Sequence, residues 1–301
     1  MQKTCVIIAG PTAVGKTALA IELAQALNTQ IISADSRQCY QELNIAVAKP
    51  SAEELARTRH YFINSHTITQ NISAADFEQY ALNSIGEIFS RQHVAVMVGG
   101  TGLYIKAFCD GLDAIPAVEE SIREDISNNY QLRGISWLQD TLKEEDSAYY
   151  EQGEIFNPQR MMRALEVKRS TGQSILSYQN QQKTQRPFRI IKIGLELSRS
   201  ILYDRINRRV EDMMQAGLEA EARQLLQYRH LNALQTVGYR ELFRFFDGEL
   251  SREEAVALLK QNTRHYAKRQ FTWFKKDAAI HWMDAQEPRL LESILELVHA
   301  T

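Results

Sequence analysis

The octapeptide Gly10-Pro-Thr-Ala-Val-Gly-Lys-Thr17 restricts the fold of this sequence more than any other feature. It has the spacing G-x-x-x-x-G-K-[ST] of a phosphate-binding P-loop, whose glycines let the backbone wrap until its N–H groups converge on phosphate oxygens. The flanks have the required character. Cys5-Val-Ile-Ile-Ala9 is a short apolar, β-branched run that reads as a buried parallel strand. Lys16–Leu27 reads as a helix, with Leu19, Leu23, Ala26 and Leu27 on one face. Gly10, Pro11, Thr12, Ala13, Val14, Gly15, Lys16 and Thr17 are therefore candidates for binding a polyphosphate, supported by the helix N-terminal dipole. Lys16 would supply a point charge, and the Thr17 hydroxyl a ligand for Mg²⁺. The motif specifies what is gripped and leaves the reaction open.

Further strands are expected at Gln30–Ala34, His93–Val98 and Arg189–Leu195, with a helix over Ala74–Arg91. Strands alternating with helices define an α/β class with a P-loop NTPase-like core and a parallel sheet. Between Ala114 and about Arg186 the pattern changes to helices only, at Glu119–Tyr130, Ser136–Lys143 and Pro158–Ser170. The last of these carries Asn157 as N-cap, Pro158 at its first position and Gly172 beyond its end. The expected organisation is a first core segment at 1–113, an all-helical insertion at 114–188, and core completion with a helical C-terminal region at 189–301. Gln179–Arg186 reads as the connector back to the core, and Pro288 as a break before a short last helix.

A Walker-B acid is missing from its usual place. The strand ending at Met97-Val98 runs into Gly99-Gly-Thr-Gly-Leu-Tyr104, where P-loop ATPases carry an aspartate for magnesium. Asp35, at the carboxyl end of the second strand, is the available acid. Ligands of open α/β sheets bind beyond the carboxyl ends of strands, so Asp35, Thr101 and the P-loop should converge on one crevice. By itself, such an aspartate is more often a turn former. Residues 199–276 hold 15 Lys/Arg against 10 Asp/Glu in a chain of net charge −2, which suggests an anionic partner or a solvated helical surface. Within it, Arg264–Lys276 interleaves Arg264, Lys268, Arg269, Lys275 and Lys276 with His265, Tyr266, Phe271, Trp273 and Phe274. Basic side chains can track phosphates and aromatics can stack on bases, though aromatics at helical spacing are more often core. Phe271 and Phe274 are expected inside and the basic residues outside. In the helix from Pro158, Gln159, Arg160 and Arg163 make one polar patch, with Met161 and Met162 on other sides. Cys5, Cys39 and Cys109 are scattered, and no apolar run approaches the length of a membrane span. The expectation is a soluble cytoplasmic protein, away from any membrane, and a monomer.

Several blocks match one family in order. Gly10–Thr17, Ile32-Ser-Ala-Asp-Ser-Arg-Gln-Cys-Tyr40, Ala48-Lys-Pro50, Ser73-Ala-Ala-Asp-Phe77, Val98–Tyr104, Asn157–Glu166, Val237-Gly-Tyr-Arg240 and Ala267–Trp273 together resemble the tRNA dimethylallyltransferases. The resemblance implies transfer of a dimethylallyl group from dimethylallyl diphosphate to N6 of adenine 37, beside the tRNA anticodon. It also implies a helical insertion that closes over the anticodon stem-loop. On the matching positions, Asp35 would be the general base, Thr101 would lie beside the adenine and the diphosphate, and Arg209 would bind the diphosphate with Lys16. Contacts to tRNA would come from Asp35, Ser36, Arg37 and Gln38, the last able to read the adenine edge bidentately. The insertion would add Arg123 and the stretch Gln159, Arg160, Met161, Met162 and Arg163. The C-terminal part would add Gly238, Tyr239 and Arg240, then Lys268 and Arg269. Arg37 stands where many relatives have a small or apolar residue. No cysteine follows Cys109, so the zinc finger of eukaryotic relatives is missing and the bacterial type is implied. A P-loop kinase, an adenylate isopentenyltransferase and a nucleotide-sensing RNA-binding module are the alternatives.

Overall fold

The computed structural model describes residues 2–179 and 183–300. The chain forms two units, Met1–Asp110 with Gln185–Thr301, and Gly111–Thr184. Residues 180–182 of the expected connector lie outside the described residues.

The first unit is built on β1 (Thr4–Ala9), α1 (Lys16–Ala26), β2 (Ile31–Ser33), α2 (Ala52–Arg57), β3 (His60–Tyr61), α3 (Ala74–Phe89), β4 (Val94–Gly99) and α4 (Gly102–Asp110). The second unit holds α5 (Glu120–Glu145), α6 (Ser147–Gln152) and α7 (Pro158–Thr171). The chain returns to the first unit for β5 (Arg189–Glu196), α8 (Arg199–Gln215), α9 (Leu218–Gln224), α10 (Tyr239–Phe246), α11 (Arg252–Phe274), β6 (Ile280–Asp284) and α12 (Leu290–His299). The six strands form one sheet in the order β3-β2-β4-β1-β5-β6, and every pair is parallel.

β1 lies inside this sheet, pairing Ile7 with Met97 on one side and Lys192 on the other. All six of its residues are buried, which explains a run without polar alternation. Side chains alternate faces, so Cys5, Ile7 and Ala9 enter one core and Val6 and Ile8 the other. All three cysteines are buried. The return strand is anchored by Arg186, whose guanidinium donates to the carbonyls of Phe108 (2.7 Å) and Ala107 (2.9 Å) and pairs with Glu78 at 2.5 Å.

β3 and β6 are two strands that the sequence pattern does not disclose. β3 is two residues long. β6 is a sheet edge, and Ile280-His-Trp-Met-Asp284 is buried only at Ile280, so it lacks the apolar run of an interior strand. In the second unit, the helices expected over Glu119–Tyr130 and Ser136–Lys143 join across Gly134, whose φ of 73° marks a kink. The core of this unit includes Trp137, Leu138, Leu142, Ala164 and Leu165. It also takes in Met161, which is 0% exposed. Met161 therefore packs inside this core. No helix among the described residues is long and apolar enough to cross a membrane.

Candidate active site

A cleft of about 510 Å³ opens in the first unit, and its walls include the P-loop and the carboxyl ends of β2 and β4. The P-loop reaches it through three positive-φ positions, Gly10 (φ 143°), Ala13 (φ 65°) and Gly15 (φ 112°), after which α1 begins at Lys16. Thr12, Ala13, Gly15, Lys16 and Thr17 line the cleft, whereas Gly10, Pro11 and Val14 are buried. Lys16 Nζ donates to the Pro11 carbonyl at 2.7 Å. Burial, reinforced by the charge of Arg209 and opposed by Asp35, lowers the Lys16 pKa to about 7.

Two helices bring further cations to the same place. Arg209 of α8 donates to Thr12 Oγ1 at 3.5 Å, and Arg205 to the Val14 carbonyl at 3.2 Å. With Lys16, Arg37 and Lys49 they make five cationic linings against the carboxylates of Asp35 and Glu54. Beyond the arginines, α8 contributes Val210 and Met213 to the cleft, and α11 contributes Leu259. The site thus combines an anion-binding end with an apolar wall.

Asp35 lines the cleft as expected, but it is also a turn former. Its Oδ1 accepts the backbone N–H groups of Arg37 (2.9 Å) and Gln38 (3.3 Å), an Asx turn that fixes the loop after β2. Thr101 does not line the cleft. Its hydroxyl accepts from the Ser36 N–H at 3.0 Å and donates to Ser36 Oγ at 3.4 Å, tying the loops after β4 and β2 together. Arg37 donates to Asn232 Oδ1 at 3.3 Å. The Gln38 carboxamide is already engaged: Nε2 donates to the carbonyls of Val47 (3.2 Å) and Ala48 (3.1 Å), and Oε1 accepts from Ser33 Oγ (3.2 Å). Bidentate reading of adenine needs Oε1 and one Nε2–H, so Gln38 would give up at least one of these carbonyl bonds; in this conformation it ties two loops together. Cys39 stands close to Asp35, but burial pushes its thiol up to about 12 and withholds a thiolate.

The missing Walker-B acid has a steric cause. A Cβ at Gly99 would sit 2.1 Å from the Ala34 carbonyl oxygen, and one at Gly100 would sit 2.1 Å from Gln270 Nε2. At Gly99 no side chain fits without moving the Ala34 backbone, whereas at Gly100 the obstacle is the end of the Gln270 side chain. The space over Gly100 is filled by Gln270, 6% exposed, which accepts from the Thr12 N–H at 2.8 Å and donates to the Gly100 carbonyl at 3.0 Å. Gln270 thereby docks α11 on the P-loop, a role that the sequence reading missed. The available signal was helical spacing: Leu259, Thr263, Tyr266 and Gln270 all line the cleft from one stripe of α11.

The remaining candidates divide. In the second unit, Gln159 and Arg160 are exposed and Met162 is half-buried. Arg123 and Arg163 share Glu166 at 3.7 and 3.1 Å, and Arg160 pairs with Glu154. In the first unit, Arg240, Lys268 and Arg269 are exposed, whereas Gly238 and Tyr239 are buried. Phe274 is buried as expected. Phe271 is only half-buried, edge-on to Trp282 at 5.3 Å, with Lys275 over both rings. Arg264 donates to Asn207 at 2.8 Å on the neighbouring helix.

A P-loop on a parallel sheet, an acid just beyond the next strand and glycines in place of the magnesium aspartate define a P-loop-fold transferase. The family model described as IPP transferase matches residues 38–277, and the chain belongs to that family. It is 47% identical over 287 residues to a tRNA dimethylallyltransferase of Christiangramia forsetii, covering 95% of each chain. It is 44% identical over 296 residues to one of Cytophaga hutchinsonii, covering 98% of this chain and 97% of the relative. Among solved structures, the tRNA isopentenylpyrophosphate transferase of Bacillus halodurans superposes with a TM-score of 0.71 at 37% identity, over 98% of this chain and 94% of the other. A eukaryotic dimethylallyltransferase acting on tRNA gives 0.78 at 25% identity, over 98% and 77%.

Proposed function

We infer that this chain transfers a dimethylallyl group from dimethylallyl diphosphate to N6 of adenine 37 in tRNA, releasing diphosphate. The observation that carries this reading is the meeting of Lys16, Arg209 and Asp35 in one cleft whose β4 end has no room for an acid. In the reaction, the bond from the allylic C1 to the bridging oxygen breaks and a bond from N6 to C1 forms. Negative charge grows on the departing diphosphate, where the P-loop N–H groups, Lys16 and Arg209 are preorganised to meet it. As N6 becomes cationic, the Asp35 carboxylate takes its proton. Val210, Met213 and Leu259 offer the dimethylallyl tail an apolar wall that excludes water. The adenine must leave its stack, at a cost of roughly a few kcal/mol, and Tyr266 in the same cleft offers an aromatic face.

Magnesium fits these residues as an ion that arrives with the diphosphate. No group of three or more His, Cys, Asp or Glu able to hold a metal occurs among the described residues. The Thr17 hydroxyl in the cleft is one protein ligand available, and Mg²⁺ commonly takes its other ligands from substrate phosphates and water. When bound, it would neutralise charge on the leaving oxygens.

The test is incubation with dimethylallyl diphosphate, Mg²⁺ and an anticodon stem-loop, followed by nucleoside mass analysis. Prenylated A37 is expected. Unmodified A37 alongside efficient prenylation of AMP would overturn the tRNA assignment.

Lys16 also sets a pH dependence. Only the ammonium form assists an anion, and the free enzyme loses it as pH rises through about 7. The affinity for dimethylallyl diphosphate should therefore fall above that point, by at most about tenfold per pH unit, with proton uptake on binding near about pH 8.5. Calorimetry in two buffers of different ionisation enthalpy measures this. Affinity that stays flat, with no proton uptake, would contradict it.

A further inference from the structure

Residues 46–50 form part of the cleft wall, and the stretch from Asn44 to Lys49 has no helix or strand to hold it. Glu221 of α9 gathers three consecutive backbone donors there: the N–H groups of Asn44 (3.1 Å), Ile45 (2.9 Å) and Ala46 (3.2 Å). The Tyr239 hydroxyl donates to the same carboxylate at 2.7 Å, and Tyr239 is 0% exposed. Gly238, at φ 108°, lies so near this wall that a Cβ would come within 2.9 Å of Ala46 Cβ. Gly238 and Tyr239 therefore brace the loop. Immediately downstream the backbone turns through Ala48 at φ 47°. There the Val47 and Ala48 carbonyls grip Gln38, whose own N–H donates to Asp35.

We propose that Glu221 is the positioning residue of the catalytic-base loop, acting from Tyr239 through the anchored 44–46 amides and the Val47–Ala48 carbonyls onto Gln38 and Asp35. The proposal rests on the reading of Asp35 as the proton acceptor. A carboxylate suits the task because it is acceptor-only and can satisfy several N–H groups at once. A carboxamide of the same size would turn an NH₂ against some of those donors.

The experiment uses the full chain with dimethylallyl diphosphate and the anticodon stem-loop. Glu221→Gln should lower kcat by about tenfold or more, the effect of one buried bonded group left unmet. The KM for dimethylallyl diphosphate should hold, because the P-loop is untouched. Tyr239→Phe, which removes one bond, should act in the same direction but less. The decisive comparison adds Gln38→Ala to Glu221→Gln. If Glu221 acts through Gln38, the double variant is no slower than the slower single one. Multiplying effects, or a folded Glu221→Gln enzyme with unchanged kcat, would overturn the proposal. Should Glu221→Gln not fold, the pair Tyr239→Phe and Gln38→Ala carries the same comparison, with multiplying effects again overturning it. An Asp35→Asn enzyme with normal turnover would remove the base reading instead, a result distinct from either.

Discussion

Asp35→Asn is expected to slow dimethylallyl transfer by about 10²–10⁴-fold, the range of a positioned general base, while leaving RNA and dimethylallyl diphosphate binding little changed. Asparagine is the informative substitution because Asp35 holds a turn besides being the proposed base. Its Oδ1 holds the turn by accepting from the Arg37 and Gln38 N–H groups, and an amide oxygen can keep that role. What asparagine lacks is a carboxylate able to take a proton from N6. Single-turnover rates with parallel binding measurements separate the two functions. Near-normal turnover in a variant that still binds RNA would show that the proton leaves by another route.

Lys16→Ala should lower kcat/KM by about 10²–10³-fold, the loss seen when one preorganised donor to a developing anion is removed. The residual activity would come from Arg209, which reaches the loop at Thr12, and from the backbone N–H groups. The same variant should lose the decline in diphosphate affinity above about pH 7 that is assigned to Lys16. A variant that keeps the decline would assign it to a different group.

The parts of the site visible in the sequence are those encoded over short spans. The P-loop is eight consecutive residues between a strand and a helix, and Asp35 is marked by the end of an apolar strand. Gln270 is different: it meets Thr12 across 258 positions of the chain, and no local pattern encodes that distance. Gly238 and Tyr239 were legible as a motif, but the sequence does not show whether a motif faces a ligand or a loop. In the structure Tyr239 is buried and bonded to Glu221, beside the loop. Met161 shows the same limit, since helical spacing separates faces without saying which one a core covers. β6 escaped because an edge strand buries little, and burial is what writes a strand into a sequence.

In the proposed reaction this P-loop holds a leaving diphosphate and does not activate a phosphate for transfer. The most direct test follows the products of a single turnover with phosphate-labelled dimethylallyl diphosphate, Mg²⁺ and the anticodon stem-loop. The expected result is one released diphosphate for each adenine prenylated, with no label in the RNA. Labelled phosphate on the RNA, or orthophosphate released without any prenyl group on A37, would contradict it.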